Sequence, residues 1–197
     1  MTNITNMDII FIIISYLIGS IPFGLVVGKL ANIGDIRTKG SGNIGATNVV
    51  RLGGKKLGAI VFLLDALKGV IPVLVAIEFF SWEIALIAAG AAVFGHIFPI
   101  WLKFKGGKGV ATSLAVYVAL SWQMGLVLII VWIATFKLTK VSSISSIFAM
   151  ISAPLAAFYF NKDGLEILAF IISLVVIFRH QSNIKRLLSG EEGGFKK

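Results

Sequence analysis

The stretch LGAIVFLLDALKGVIPVLVAIEFF, residues 57–80, is long and apolar enough to cross a bilayer as one helix. Comparable apolar runs occupy roughly residues 8–29, 82–101, 144–160 and 164–178. The 197 residues are 57% hydrophobic and only 14% charged, so little length is left for a separate soluble domain. The sequence therefore predicts an all-α integral membrane protein that forms a single domain over residues 1–197.

One further apolar stretch, from Val110 to Lys137, is open to two interpretations. It could be a single long helix, or two short helices joined at Ser121-Trp122-Gln123. With two helices, the loops on one side of the membrane hold 16 of the 18 lysines and arginines, namely Lys29, Arg37, Lys39, Arg51, Lys55, Lys56, Lys103, Lys105, Lys108, Lys137, Lys140, Arg179, Lys185, Arg186, Lys196 and Lys197.

The charge asymmetry favours two helices, because a single long helix would move the cations from Lys137 onward in that set to the other side. The positive-inside rule then predicts seven transmembrane helices, with the N terminus outside and the C terminus in the cytoplasm. Topology thereby accounts for the net charge of +9, and no nucleic-acid partner is expected. The cytoplasmic segments available to form an active site are about 30–56, 102–113, 137–145 and 179–197.

The first of these segments contains KGSGNIGATNVVR, residues 39–51. Glycines let successive backbone N–H groups face one centre, and small polar side chains add donors without bulk. Arg51 carries a planar, permanently charged group that suits phosphate. A solvated turn whose cations only set orientation is the alternative. We predict an anion site formed by Ser41, Gly42, Asn43, Gly45, Thr47, Asn48 and Arg51.

The second segment, KFKGGKGVATS at residues 103–113, leads directly into an apolar helix. Free backbone N–H groups, the helix dipole and Lys108 would together attract a phosphate, with Gly106 and Gly107 supplying amides. The ATP-binding pattern GxxxxGK[ST] does not fit, because Leu102 stands in place of its glycine and Gly109 in place of its Ser or Thr.

The third segment, RHQSNIKRLLSGEE at residues 179–192, follows the last apolar run. His180 and Asn183 are three residues apart and would share one helical face. A lone histidine is more often structural than catalytic, but this one is predicted on the same membrane face as the other two segments. Ser142 and Ser145 begin the sixth span and could be helix caps or polar lining.

Two charged residues, Asp65 and Lys68, interrupt the run 57–80. Their spacing lets them meet on one helical face and neutralise each other. Charges inside a membrane span suggest function by default, although a buried structural pair explains these two equally well. His96, just before Pro99, is open to the same two interpretations.

Three glycine- and cation-bearing segments on one membrane face suit a ligand with its phosphate in water and its acyl chain in lipid. The chain has no cysteine, which excludes thiolate catalysis. Its carboxylates are scattered without metal-ligand spacing, so we expect no metal and no cofactor. A transporter or flippase for a phosphate-bearing lipid is the competing hypothesis, but the inverted repeat or paired broken helices that would favour it are not visible. A membrane scaffold would leave the polar loops unexplained.

Three blocks of the sequence resemble the signature blocks of the bacterial acyl-phosphate:glycerol-3-phosphate acyltransferases. They are GSGNIGATNVVR at 40–51, GGKGVATS at 106–113 and HQSNIKRLLSGEE at 180–192. The likeness covers nearly the whole chain, and DALKG at 65–69 and GHIFPIW at 95–101 also look like the family's pattern.

The resemblance implies a multi-pass enzyme of the bacterial inner membrane whose active site faces the cytoplasm. It would transfer a fatty acyl group from acyl phosphate to the 1-hydroxyl of glycerol 3-phosphate, giving lysophosphatidic acid and phosphate for phospholipid synthesis. Membrane lipid would surround the enzyme, and an upstream enzyme would form its acyl phosphate.

On this hypothesis Lys108 and Arg51 bind phosphate and offset the charge that develops on the departing group. His180 and Asn183 orient glycerol 3-phosphate; whether His180 or a substrate phosphate takes the proton stays open. The predicted catalytic residues are thus Lys108, Arg51 and His180. The residues predicted to hold the substrates in line are Ser41, Gly42, Asn43, Gly45, Thr47, Asn48, Gly106, Gly107, Ser145 and Asn183.

Overall fold

The computed structural model describes residues 4–193, which are helical apart from turns and loops. Lys196 and Lys197, which the topology prediction counted, lie outside the described residues. The prediction of an all-α fold is confirmed over this range. The helices found there are α1 Asn6–Gly19, α2 Phe23–Leu30, α3 Ala46–Phe79, α4 Trp82–Ile97, α5 Val110–Leu120, α6 Trp122–Thr139, α7 Ser142–Phe160, α8 Leu165–Arg179 and α9 Gln181–Leu188, with a 3₁₀ turn at Ile100–Leu102 after α4.

Within residues 4–193, four helical segments are long and apolar enough to cross a membrane: α3, α4 with its 3₁₀ turn, α6 and α7. The count rises to six if the bent pairs α1–α2 and α8–α9 are each one span. Helix α5 is apolar but shorter, at 11 residues. The described part of the chain thus has four to six candidate spans by length and composition.

The first apolar run is not one continuous helix, which corrects the predicted helix over 8–29. Helix α1 ends at Gly19, α2 begins at Phe23, and their axes differ by 41°. Pro22 causes the break, since it has no N–H to donate and disfavours helical geometry in the residue before it. The carbonyl of Ile21 accepts a hydrogen bond of 2.8 Å from Lys68 Nζ, so the break does not leave it unpaired.

Helix α3 begins at Ala46, well before the predicted start at residue 57, so the second half of the predicted loop 30–56 is helical. Its first turns are polar, which is why hydropathy placed them in the loop. Gly54 interrupts the helix geometry with φ 85°, a left-handed value that favours glycine.

The stretch from Val110 to Lys137 forms two helices, as the charge pattern favours. Helix α5 ends at Leu120, and the Ser121 side chain accepts a hydrogen bond from the Met124 amide to begin α6. The same residue separates two compact units, one that ends at Leu120 and one that begins at Ser121. The single-domain organisation stays a prediction.

In the first unit, α1 and α4 pack with their backbones close together. A Cβ at Gly19 would lie 2.2 Å from the Ala92 carbonyl oxygen, and one at Gly95 would lie 2.3 Å from that of Tyr16. Small residues at such positions let helices approach without charged or polar side chains. Helix α3 packs against both α4 and α5. In the second unit, α7 packs against α6 and α8.

Candidate active site

The first polar segment folds around the side chain of Asn48, which is 1% exposed. Its Oδ1 accepts a hydrogen bond of 2.8 Å from the Ser41 amide. Its Nδ2 donates to the carbonyls of Ile36, at 2.9 Å, and Lys39, at 3.2 Å. Gly40 lies so close that a Cβ there would be 2.4 Å from Asn48 Oδ1. One buried amide therefore sets the path of the chain from Ile36 to Asn48.

The glycine amides of this segment are already used within the chain. The Gly42 amide donates to the Lys39 carbonyl, and the Gly45 amide donates to Asn43 Oδ1, both at 3.1 Å. The structure therefore does not show these two amides facing a ligand, and their binding of substrate stays a prediction. In a partly buried loop, backbone donors must find partners whether or not substrate is present. Asn48 likewise donates through Nδ2 to two carbonyls inside the protein, and its direct binding of substrate stays a prediction.

Several side chains of this segment are placed to contact an anion. Ser41, Asn43 and Thr47 are half-buried, while Arg51 is exposed one turn into α3. No side chain caps the start of α3 at Gly45, so the positive end of the helix dipole adds to the charge of Arg51.

An exposed ion pair lies beside this segment. Arg37 Nη2 is 2.6 Å from Asp35 Oδ2. The hydrogen bonds that the Arg37 side chain donates lower the pKa of Asp35 to about 2. Ile36 between them is fully buried and anchors the loop against apolar residues of α2 and α3.

The second polar segment folds back onto the end of α4. The Gly106 amide donates to the Ile97 carbonyl and the Gly107 amide to the His96 carbonyl, both at 3.1 Å. A Cβ at Gly106 would lie 2.2 Å from the His96 carbonyl oxygen, and one at Gly107 would lie 2.1 Å from His96 Nε2. These two glycines are needed for packing, and the binding of phosphate by their amides stays a prediction.

Lys108 follows directly and is half-buried. Gly109, with φ 91°, accepts a hydrogen bond of 2.8 Å from the Ser113 amide and so begins the first turn of α5. The predicted glycine-rich start of a helix next to a lysine is confirmed. Lys108 therefore lies where the positive end of the α5 dipole adds to its own charge.

A buried cluster lies beneath this segment. Lys68 Nζ is 2.7 Å from Asp65 Oδ1, so the predicted pairing of these two residues is confirmed. His96 Nδ1 approaches the same oxygen at 3.5 Å. The Thr112 hydroxyl donates to the Asp65 backbone carbonyl at 3.0 Å. All four side chains are buried, so α3 holds both the end of α4 and the start of α5 through Asp65.

In the second unit, the third polar segment is organised by Glu192, whose side chain is 4% exposed. Its Oε1 accepts hydrogen bonds from the Ser143 hydroxyl at 2.8 Å and from Asn183 Nδ2 at 2.6 Å. Its Oε2 accepts one from Arg186 Nε at 2.7 Å. Burial alone would raise the pKa of Glu192, but these donors outweigh burial and hold the pKa below its ordinary value.

The buried ring of His180 is oriented by its own helix. His180 Nδ1 lies 2.7 Å from the carbonyl oxygen of Val176. Because a carbonyl can only accept, Nδ1 carries the proton, and in the neutral ring Nε2 carries the lone pair. The structure thus fixes one tautomer.

Ser145 is fully buried and donates its hydroxyl proton to the Val141 carbonyl at 3.0 Å. A phosphate needs a donor, and Ser145 could offer its hydroxyl only by giving up this bond, so phosphate binding by Ser145 stays a prediction. The cap interpretation fails, because no side chain caps α7 at Val141. The hydroxyl that matters here is that of Ser143, through its bond to Glu192.

The chain matches the family model described as glycerol-3-phosphate acyltransferase over residues 9–190. It belongs to the glycerol-3-phosphate acyltransferase family.

Curated relatives are similar in sequence to this chain over nearly its whole length. The glycerol-3-phosphate acyltransferase of Mesorhizobium japonicum is 46% identical over 185 residues, which are 94% of this chain and 94% of the relative. That of Erythrobacter litoralis is 47% identical over 180 residues, 91% of each chain.

Two solved structures of PlsY, an integral membrane glycerol 3-phosphate acyltransferase, are similar to this acyltransferase. The glycerol 3-phosphate form is 44% identical with a TM-score of 0.92 and covers 97% of this chain and 96% of its own. The lysophosphatidic acid form is 42% identical with a TM-score of 0.88 and the same coverage. The protein is therefore an all-helical integral membrane acyltransferase.

The sequence analysis assigned no role to Glu192 or Ser143, which the structure joins by a hydrogen bond in the third polar segment. Glu192 lies in the third signature block, so its block membership was the available signal. Ser143 stands between the two serines that were singled out, and nothing local distinguishes it from them. Across residues 4–193, no group of three or more His, Cys, Asp or Glu side chains is placed to hold a metal ion.

Proposed function

We propose that this acyltransferase moves a fatty acyl group from acyl phosphate to the sn-1 hydroxyl of glycerol 3-phosphate. The observation that carries the proposal is the similarity, over 97% of the chain, to PlsY structures in a glycerol 3-phosphate form and a lysophosphatidic acid form. These two molecules are the acceptor and the product of the proposed reaction. An acyl phosphate donor suits the chain because it is already activated and requires neither a cysteine nor a metal.

The proposed topology has seven transmembrane helices, the N terminus outside, and the active site on the cytoplasmic face of the bacterial inner membrane. The asymmetry of lysine and arginine between the two sides supports it. The break between α5 and α6 at Ser121 supports it further, because the asymmetry requires two helices in this stretch rather than one.

In the proposed mechanism, the sn-1 hydroxyl oxygen attacks the acyl carbonyl carbon directly. The new ester bond forms, the bond between that carbon and the phosphate oxygen breaks, and phosphate leaves with the bonding electrons. Lys108 and Arg51 bind phosphate and offset the charge on the departing group. The helix dipoles at the starts of α5 and α3 act in the same direction.

His180 and Asn183 orient glycerol 3-phosphate in this mechanism. The tautomer set by the Val176 carbonyl leaves Nε2 as the acceptor, so we assign to it the proton of the attacking hydroxyl. The bond from Asn183 Nδ2 to Glu192 fixes the direction of the Asn183 amide. The side chains of Ser41, Asn43 and Thr47 complete the contacts to substrate phosphate.

The test is phosphate release by the purified, detergent-solubilised protein given palmitoyl phosphate, with and without glycerol 3-phosphate. We expect release only with both substrates, matched mole for mole by lysophosphatidic acid in mass spectrometry. Palmitoyl-CoA and palmitoyl acyl carrier protein are assayed in parallel as donors. Product from one of these but none from palmitoyl phosphate would refute the proposed donor. No product from any donor in a folded sample would favour a transporter of phosphate-bearing lipid.

A further inference from the structure

Asp65 joins four segments of the first unit. Its carboxylate contacts Lys68 on its own helix and His96 at the end of α4. Its backbone carbonyl accepts the Thr112 hydroxyl at the start of α5. Through Lys68, which donates to the Ile21 carbonyl, it also reaches the break between α1 and α2.

These contacts attach the chain to its neighbours both before and after Lys108 in sequence. Before Lys108, Gly106 and Gly107 donate to the carbonyls of Ile97 and His96, and Gly107 lies against the His96 ring. After Lys108, Thr112 is tied to Asp65. Only four residues, Lys108 to Ala111, separate the attachment at Gly107 from the attachment at Thr112.

Burying the charged groups of this cluster costs more free energy than apolar packing at the same place would. A buried ion pair loses hydration that its mutual attraction only partly repays, and apolar residues of similar volume often stabilise a fold as well. Elsewhere in the same unit, α1 and α4 are joined through glycines such as Gly19 and Gly95, without any charge. Charge therefore occurs where the lysine-bearing segment is attached, and directional contacts fix geometry in a way that glycine packing does not.

We propose that Asp65 and His96 are positioning residues that fix Lys108 relative to its substrate. The inference rests on the proposed role of Lys108. Neither residue takes part in the acyl transfer itself. His96 presents Nδ1 to Asp65 and the opposite edge of its ring to Gly107, so the imidazole transmits the position of α3 to the segment.

The first test is kinetic and uses His96→Ala in two backgrounds. In the otherwise unchanged protein we expect kcat/KM for palmitoyl phosphate to fall about tenfold, the size typical of coupled neighbours. In the Lys108→Ala background the same change should cost less than about twofold, because a residue that acts through Lys108 has nothing left to position. An equal loss in both backgrounds would overturn the proposal, since a merely structural role would cost the same in each.

A conservative variant distinguishes loss of the contact between residue 96 and Asp65 from loss of side-chain volume. His96→Asn keeps an amide donor near the position of Nδ1 and so retains the contact to Asp65. We expect it to keep more activity than His96→Ala. Equal activity of the two variants would contradict a role for the contact to Asp65.

A milder change covers the case in which His96 variants fail to fold. Thr112→Val removes only the hydroxyl donated to Asp65, and Ser152→Ala is the matched control, because it removes a hydroxyl donated to the Ala149 carbonyl in the second unit. We expect Thr112→Val to lower kcat/KM severalfold and Ser152→Ala to leave it unchanged. Equal activity of the two variants would count against the proposal.

Hydrogen exchange gives a readout that does not depend on the role of Lys108. His96→Ala should speed exchange of the Gly106 and Gly107 amides, while Gly193→Ala, whose added methyl meets nothing within 4 Å, should not. Unchanged exchange in His96→Ala would refute the anchoring. Faster exchange combined with full activity of Lys108→Ala would instead refute the role of Lys108 in the proposed function.

Discussion

Two polar segments of this acyltransferase are each folded around one buried side chain, and the two side chains differ in kind. Asn48 is a neutral amide that both donates and accepts, so it satisfies backbone groups of its own neighbourhood. Glu192 is a carboxylate that can only accept, and it gathers donors from the side chains of Ser143, Asn183 and Arg186. Asn48 fixes the backbone path of a loop, whereas Glu192 fixes the orientation of other side chains.

This difference has a physical consequence for the two segments. The hydrogen bonds of Asn48 do not depend on pH, because an amide does not titrate. Those of Glu192 depend on its negative charge, and hydrogen bonds to a charged group are stronger than neutral ones. The stability of the first segment should therefore depend on the shape of the side chain at position 48 and not on pH. The stability of the third segment should depend on both the shape and the charge of the side chain at position 192.

The largest effect is expected from Asn48→Asp. The new carboxylate keeps an acceptor for the Ser41 amide but turns an oxygen toward the carbonyls of Ile36 and Lys39. At about 1 kcal/mol for each hydrogen bond lost, with further repulsion, we expect the free energy of unfolding to fall by about 3 kcal/mol. Thermal unfolding in detergent measures it, with exposed Asn6→Asp as the control. A loss no larger than that of the control would mean that Asn48 does not organise the segment.

A smaller effect is expected from Glu192→Gln. The glutamine keeps the shape but loses the charge, and its NH2 group cannot accept a hydrogen bond, so the donors at one of the two oxygens lose their acceptor. We expect a loss of about 1–2 kcal/mol. Because Asn183 loses its fixed direction, the KM for glycerol 3-phosphate should rise more than kcat falls. The exposed neighbour Glu191→Gln is the control. If KM stays constant while stability drops, Glu192 has a structural role only.

Acidification should destabilise the third segment before it destabilises the first. The folded-state pKa of Glu192 lies below its ordinary value, so its contribution to stability is complete above the unfolded pKa of about 4.3 and is lost as pH falls through the folded value. Hydrogen exchange, corrected for its intrinsic pH dependence, should show residues 181–193 losing protection in acid before residues 36–48. Glu192→Gln should abolish this order. Simultaneous loss in both segments would contradict the comparison.

The smallest effect is expected at the exposed pair of Asp35 and Arg37. Solvent and salt screen such pairs, despite the lowered pKa of Asp35. Asp35→Asn should leave the unfolding temperature unchanged at physiological salt. A clear decrease would mean that this pair, as well as Asn48, holds the first segment in shape.

Patterns that are local in sequence were predicted well. The apolar runs predicted the all-α membrane fold, the spacing of Asp65 and Lys68 predicted their ion pair, and charge counting favoured the helix break at Ser121. The first two depend on residues within a few turns of one another or within one span, and the third depends on the distribution of lysine and arginine along the chain.

Contacts between distant residues could not be predicted in the same way. A glycine-rich segment has the same sequence whether its glycines make room for a ligand or for a neighbouring side chain. At Gly107 the neighbour is His96, on another element, and only the fold brings the two together. The partners of Asn48 and Glu192 are likewise set by tertiary structure, as is the use of the Ser145 hydroxyl by a carbonyl.

The most direct test of the account compares two lysines of one segment. Lys108→Ala and Lys105→Ala remove the same charge, but only Lys108 is assigned to substrate phosphate, while Lys105 is exposed. With palmitoyl phosphate and glycerol 3-phosphate, Lys108→Ala should lower turnover on the order of 100-fold, and Lys105→Ala should stay within about twofold of the unchanged protein. Equal turnover of the two variants would contradict the central claim that Lys108 stabilises the departing phosphate.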